Sequence, residues 1–349
     1  MNAIKIRERG IGASHPPFII AELSANHLGN IDRAIWSIEV AAKSGADAVK
    51  LQTYTPDTLT IDVDSDLFRI RGGPWDGQTL YGLYQSAYTP YEWHERLFAA
   101  AKEFGIIALS TPFDESAVEL LASLDAPAYK IASFEVIDLP LIAAAARQAR
   151  PMIISTGMAN LGEIHEAVST ARANGANDIV LLHCTSGYPT PFSEANLRTI
   201  PHLAQAFGAV AGLSDHTLGT AASVAAIALG ACVIEKHFTL SRADGGPDAA
   251  FSLEPDELRQ LVADCRAAWE ALGEVDYDVT GSEQGNIVFR RSLFAVQPIA
   301  AGETFTKENV RSIRPGYGMP PKHLPNVLGR KARRALARGE PLSWDAVEA

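Results

Sequence analysis

AVAGLSDHTLGTAASVAAIALGACVIEKHFT (residues 209–239) holds one complete repeat of the pattern on which the chain is built. A short apolar run, AVAGLSD (209–215), ends in polar residues, and after an uncharged small-residue segment a second run, VIEKHFT (233–239), does the same. The absence of charge from Thr217 to Ile234 raises the possibility of a membrane span. Gly219, Gly230 and the alternating small residues break the continuous apolar surface that a span needs, so a buried helix leading into a strand is the better reading. Gly230 falls where that helix must stop, and glycine reaches the left-handed conformation that ends a helix.

The same punctuation recurs outward from this stretch. SGADAVK, FGIIALS, NGANDIV and LGACVIE place Gly45, Gly105, Gly175 and Gly230 between a helix-period segment and the next apolar run. Eight such runs are present: 18–23, 48–52, 106–112, 128–133, 152–157, 179–186, 209–215 and 233–239. Amphipathic segments separate them, such as Asp32 to Ala42 with Ile35, Ile38 and Ala42 on one face. Eight strand–helix units predict an α/β fold of the (β/α)8 TIM-barrel type. A doubly wound open sheet is the alternative, but no G-x-G-x-x-G follows the first run. Residues 53–88 form a long connection rich in aromatic residues and Asp, of the kind that shapes a barrel's mouth. The pattern lapses into polar residues from Val275 to Gly285, which predicts a barrel domain over 1–280 and a small second domain over 281–349 after a short linker.

With 41 Asp and Glu against 30 Lys and Arg, the formal net charge of -11 opposes binding to a phosphate backbone, so nucleic acid is not an expected partner. An anionic substrate must therefore meet a local cluster of positive groups. Three cysteines, Cys184, Cys232 and Cys265, have no metal-type spacing and read as reduced thiols in a cytoplasmic protein. The N-terminal MNAIKIRERG lacks the apolar core of a secretory signal, and no membrane association is expected.

Polar residues gather at the C-terminal ends of the runs, where barrel enzymes carry their sites. Alternation along a strand puts Glu22 with Ser24, Lys50 with Gln52, Ser214 with His216, and Glu235 with His237 on shared faces, and turns Lys236 the other way. His216 and His237 end the seventh and eighth strands, and closure brings Glu22 of the first strand beside them. Two imidazoles and a carboxylate could converge there on one divalent cation. A single histidine of this kind is more often a satisfied interior residue, and it is the convergence that favours function. A second constellation, Lys50, Thr111, Lys130, Ser133, Ser155, Ser186 and Ser214, comes from different strands and could surround a small, highly charged anion. Each hydroxyl alone serves equally well as a turn or helix cap. The lysines do not, because an unpaired buried ammonium is costly.

AELSANH (21–27), DAVKLQ (47–52), STPFD (110–114), YKIAS (129–133), STGM (155–158), LLHCTSGYPTP (181–191), GLSDHTLG (212–219) and EKHFTL (235–240) together resemble the sialic acid synthase family. Within it, GGPWDGQTLYGLYQSAYTP (72–90) and GGPDAAFSLEPDEL (245–258) look most like the pseudaminic acid branch. FRRSLFAV (289–296), GETFT (302–306) and RSIRPGYGM (311–319) resemble the family's C-terminal antifreeze-like (SAF) domain. The resemblance is collinear over essentially the whole chain.

It implies a transferase that condenses phosphoenolpyruvate with an acetamido deoxy sugar, with Lys50, Thr111, Lys130, Ser133, Ser155, Ser186 and Ser214 holding phosphoenolpyruvate. Ser186 departs from the Asn that neuraminate synthases typically carry. The resemblance further implies His216 and His237 as ligands of Mn²⁺, Mg²⁺ or Co²⁺, and Glu22 as the acidic residue acting beside the metal. Gln52, Glu135, Tyr188 and Asp248 fall near the sugar, and Arg314 reaches the partner's site in a homodimer whose tails cap each other's barrels. Tyr188 also fits a Tyr-Pro turn, and Asp248 a solvated loop. Three other activities remain open on the sequence: neuraminate or legionaminate synthesis, Schiff-base aldol chemistry on Lys50 or Lys130, and non-catalytic sugar or ice binding.

Overall fold

The computed structural model describes residues 3–348. The chain divides into two compact units, Met1–Gly273 and Glu274–Ala349. The expected boundary at 280/281 lies in the mostly exposed segment that opens the second unit.

In the first unit eight parallel strands close into a barrel: β1 Phe18–Glu22, β2 Ala48–Thr53, β3 Ile107–Pro112, β4 Tyr129–Ile131, β5 Met152–Ser155, β6 Ile179–Cys184, β7 Val210–Asp215 and β8 Val233–His237. Each coincides with one of the eight apolar runs, and the TIM-barrel expectation holds. Closure pairs β8 with β1, with His237 opposite Glu22. Helices follow the strands, and Gly45, Gly105, Gly175 and Gly230 all take positive φ at the helix-to-strand turns. The segment from Thr217 to Ile234 is a turn, the helix Ala221–Ala228 and the start of β8. Among the described residues no helix is long and apolar enough to cross a membrane.

Strand alternation sorts the side chains into two cores. Residues facing outward, such as Ile19, Val49, Ile154, Leu181, Leu213 and Ile234, pack with the helices in one continuous cluster. Inside the barrel, Phe18, Ile20, Ala48, Leu109, Ala128, Ile153, Val180, Val210 and Val233 fill the lower end. No periodic signal in the sequence points to what closes that end. A hairpin of Ile4–Ile6 and Arg9–Ile11 does so, with Ile6 and Ile11 fully buried against the interior cluster. Burying each contributes roughly 1.5–3 kcal/mol toward ordering the hairpin. Above this apolar plug the same inward-facing rows continue as Glu22, Lys50, Lys130, Ser155, Ser214 and Glu235, all nearly inaccessible to solvent.

The second unit is built on the antiparallel pair β9 Ser292–Ala295 and β10 Val310–Ile313. Its own core comprises Leu293, Ile299, Phe305, Val310, Met319, Val327, Leu336 and Leu342, among others.

Candidate active site

Inside a dry barrel an ammonium must have a carboxylate, and each of the two inward lysines has one. Lys50 Nζ lies 2.6 Å from Glu22 Oε2 and 4.0 Å from Glu235 Oε2. Lys130 Nζ lies 3.8 Å from Glu235 Oε1 and donates to Ser155 Oγ at 2.7 Å. Burial opposes charge on both lysines. At Lys50 the carboxylates of Glu22 and Glu235 outweigh it and raise the pKa, while at Lys130 burial prevails over the attraction of Glu235 and lowers it. Glu235 feels the same burial, but the two ammonium groups overcome it and keep the carboxyl below its ordinary range. Burial raises Glu22, with Lys50 opposing it.

Hydroxyls lie around this ionic floor. Lys50 Nζ donates to Thr111 Oγ1 at 3.2 Å, and Ser214 Oγ donates to Glu235 Oε1 at 3.0 Å. The Gly157 amide donates to Ser133 Oγ at 3.1 Å. A Cβ on Gly157 would lie 2.7 Å from Ser133 Oγ and closer still to Ser186 Oγ. The backbone thus approaches both hydroxyls so tightly that any Cβ here must push them aside, and glycine leaves a small cradle of two hydroxyls and an amide. We expect Gly157→Ala to fold, because the atoms it would meet are movable side-chain hydroxyls, but to weaken phosphoenolpyruvate binding roughly tenfold or more by displacing them, measured calorimetrically. Unchanged affinity would separate this cradle from the anion site.

The imidazoles of His216 and His237 lie side by side, with ring centroids 5.4 Å apart. The Thr185 carbonyl is 3.0 Å from His216 Nδ1 and orients that ring. His237 Nδ1 is buried without a hydrogen-bond partner, and burial, reinforced by the positive charges of His216, Lys50 and Lys236, drives this imidazole's pKa well down. A neutral buried ring with an unused nitrogen is a suitable donor for a cation. His237 therefore fits a divalent ion, with the His216 ring beside it as the second imidazole, whereas Glu22 as a third ligand does not. Its carboxylate is taken by Lys50 and by Gln52 Nε2, which donates to Oε1 at 2.9 Å, and no group of three or more His, Cys, Asp or Glu among the described residues forms a ligand set. The convergence expected of Glu22 is corrected in this respect, because a buried ammonium at 2.6 Å competes for the same oxygen.

Aromatic rings wall one side of the histidines. Tyr188 packs on His216 at 4.4 Å, on Phe251 at 5.3 Å and on Trp75 at 5.7 Å, and Phe251 in turn packs on His237 at 5.0 Å. Trp75 Nε1 donates to the Pro247 carbonyl at 3.0 Å, tying the long connection after β2 to the loop after β8. Asp248 is buried and bonded to Ser24 Oγ, so its solvated-loop reading is set aside. Gln52 Nε2 also reaches Ser24 Oγ, at 3.2 Å. Burial pushes the Glu135 carboxyl up to about 7, and its Oε2 is buried without a partner. Arg314 follows β10 in the second unit and is exposed.

Three residues of this constellation had no role assigned from sequence: Glu235, Cys184 and Phe251. Glu235 was legible as a polar residue two places before His237 on the same strand face, and only closure of the barrel shows that it stands between two lysines. Cys184 ends β6 with Sγ 3.8 Å from His216 Nδ1.

Fold and site together define a (β/α)8 barrel enzyme whose inner face carries two buried lysines, each near a carboxylate, beside a pair of imidazoles. The chain belongs to the NeuB family, whose model matches residues 37–277, and it carries a SAF domain over residues 290–348. It is thus a phosphoenolpyruvate-dependent synthase of the sialic-acid type, a transferase. It is 45% identical to a pseudaminic acid synthase of Campylobacter jejuni over 93% of this chain and 95% of that one. An N,N'-diacetyllegionaminic acid synthase of the same species is 41% identical over 92% of this chain and 97% of the other. The crystal structure of an N-acetylneuraminic acid synthetase from Leptospira borgpetersenii superposes with a TM-score of 0.73 at 31% identity, covering 82% of this chain and 95% of that one.

Proposed function

We propose that this chain is a pseudaminic acid synthase, condensing phosphoenolpyruvate with 2,4-diacetamido-2,4,6-trideoxy-L-altrose and water to give pseudaminic acid and phosphate. The observation that carries the reading of a deoxy sugar over N-acetylmannosamine is the wall of Trp75, Tyr188 and Phe251 beside His216 and His237, an apolar surface suited to the methyl group of a deoxy sugar. The 45% identity to a named pseudaminic acid synthase supports the same reading.

In this mechanism Lys50, Lys130, Thr111, Ser133, Ser155, Ser186 and Ser214 hold phosphoenolpyruvate, and the ammonium groups offset its charge. Gln52, Glu135, Tyr188 and Asp248 orient the open-chain sugar so that its aldehyde carbon faces C3 of the enol. A divalent cation (Mn²⁺, Mg²⁺ or Co²⁺) held by His216 and His237 would supply Lewis-acid polarisation of the sugar carbonyl. C3 attacks the aldehyde carbon, the carbonyl π pair passes to its oxygen, which takes up a proton to become a hydroxyl, and C2 is left electron-deficient. Water adds at C2, Glu22 accepts its proton, and the tetrahedral intermediate expels phosphate by C–O cleavage. The assay is phosphate release with each candidate sugar. The trideoxy-altrose should be converted in strong preference to N-acetylmannosamine, by at least about a hundredfold in kcat/KM if its recognition rests on paired polar contacts. A better rate with N-acetylmannosamine would make the chain a neuraminate synthase. A better rate with the legionaminate precursor would make it a legionaminate synthase, the reading that the 41% relative supports.

We assign Arg314 to the site of a second copy in a homodimer, where an exposed arginine adds a cation near bound sugar. Arg314→Ala and Lys130→Ala proteins, each inactive alone, should regain about a quarter of the wild-type sites when co-expressed with random pairing. No recovery in verified mixed dimers would place the action of Arg314 within its own chain or remove it.

A further inference from the structure

We propose that the buried ion pair of Asp215 and Lys236 is a latch that holds His216 and His237 in the mutual position a cation requires; the inference rests on the histidine-pair reading above. Both charged residues alternate away from the barrel interior, and both are almost completely buried beneath the helix Ala221–Ala228. Lys236 Nζ lies 2.8 Å from Asp215 Oδ2 and also donates to the Thr217 carbonyl at 2.6 Å. The other contacts to Asp215 come from the Thr217 amide, 2.8 Å from Oδ1, and from Ser223 Oγ on the helix, 2.6 Å from Oδ2. Neither Asp215 nor Lys236 touches the anion cradle, and the mechanism makes no use of them.

Their chain positions give the pair its meaning. Lys236 directly precedes His237, and Asp215 and Thr217 flank His216 on both sides. One ammonium therefore grips the side-chain carboxylate of the residue before one histidine and the backbone carbonyl of the residue after it, while belonging to the residue next to the other. The β7–β8 ladder ends at the register Lys236 opposite Asp215, so no strand pairing between β7 and β8 fixes the two histidines relative to each other. The ion pair sits where that pairing stops. A buried ion pair is a poor source of net stability compared with apolar residues of similar volume. Its best-attested use is to specify a unique register, and the register at stake here is that of two imidazoles. Asp215 and Lys236 are positioning residues, acting through their neighbours.

The test compares Mn²⁺ and phosphoenolpyruvate binding in wild type, Lys236→Met and the double variant Asp215→Leu/Lys236→Met, by calorimetry and by the Mn²⁺ electron paramagnetic resonance spectrum. Lys236→Met leaves a buried carboxylate uncompensated and should lower the melting midpoint, while the double variant should recover it. Both should bind Mn²⁺ roughly 10- to 100-fold more weakly, with an altered spectrum. Phosphoenolpyruvate affinity in the double variant should stay within about twofold of wild type, since its cradle lies on other side chains. If the double variant does not fold, the isosteric Asp215→Asn gives the same comparison. Wild-type Mn²⁺ affinity in a folded variant would overturn the latch while leaving the histidine site standing. Failure of the wild type itself to bind Mn²⁺ would overturn the histidine site and the latch with it. Equal loss of Mn²⁺ and phosphoenolpyruvate binding would reduce the pair to a general support of the barrel.

Discussion

Alanine at Lys130 should abolish more than about 99.9% of turnover, because it removes a charge-assisted contact from a site where water cannot replace it. Lys130 is 2% exposed, and its ammonium is one of two facing Glu235. Removing it leaves the buried Glu235 carboxylate with the Ser214 hydroxyl and one ammonium, Lys50 at 4.0 Å, which should cost up to about 3–5 kcal/mol of stability. Activity and stability are therefore predicted to fall together in the single variant. They should separate in Lys130→Met/Glu235→Gln, which removes both charges, restores most of the thermal midpoint and remains inactive. The measurements are phosphate release under saturating substrates and the melting midpoint by circular dichroism. A Lys130→Ala enzyme with more than about a tenth of wild-type kcat/KM would remove Lys130 from the anion site. Glu235→Gln alone gives a complementary reading. Without its carboxylate the two ammonium groups lose their shared counter-charge, so the empty protein should be destabilised, and phosphoenolpyruvate binding should restore part of the lost midpoint as the ligand supplies the missing negative charge.

The second large effect is expected on chelation. Thorough removal of divalent ions should stop phosphate release, and Mn²⁺ or Mg²⁺ should restore it. His237→Ala should lose cation binding while staying folded. His237 Nδ1 makes no hydrogen bond, so truncation breaks no such contact at that nitrogen and leaves chiefly a cavity beside Phe251, at a cost of about 1–3 kcal/mol. His216→Ala should be worse tolerated, since its ring also packs on Tyr188 at 4.4 Å and is oriented by the Thr185 carbonyl. Full activity after exhaustive chelation, checked by elemental analysis, would take the cation out of the reaction.

Glu22, Lys50, Lys130 and Glu235 show how far residue order alone reaches. Alternation at period two already put Glu22 with Ser24, Lys50 with Gln52 and Glu235 with His237 on shared faces and turned Lys236 the other way, and Lys130 was grouped with Lys50; in the structure Glu22, Lys50, Lys130 and Glu235 meet inside the barrel while Lys236 pairs with Asp215. The eight strands, the glycine-ended helices and the gathering of polar residues at one end were legible for the same reason. Each is a local consequence of spacing along the chain, and spacing is what a sequence records. The matched motifs added the family and its chemistry.

Partner choice was a different matter. From sequence, Glu22 was as good a ligand for a cation beside His216 and His237 as it was a counter-ion for Lys50. Both neighbours lie within one strand spacing once β8 pairs with β1, and only the three-dimensional arrangement resolves the competition in favour of the ammonium at 2.6 Å. Glu235 between the two lysines, the Trp75 bond to the Pro247 carbonyl and the Asp215–Lys236 pair likewise join residues brought together by closure or by loops packing across the mouth. The hairpin of Ile4 to Ile11 left no periodic signal because three-residue strands are too short to show one, and its burial depends on the open lower end of the barrel. Sequence thus determined which side chains face inward and at which end. Which of them neutralise one another, and which nitrogen is left free for a cation, depended on distances of a few ångströms across strands distant in the chain, and the tertiary structure alone sets those distances.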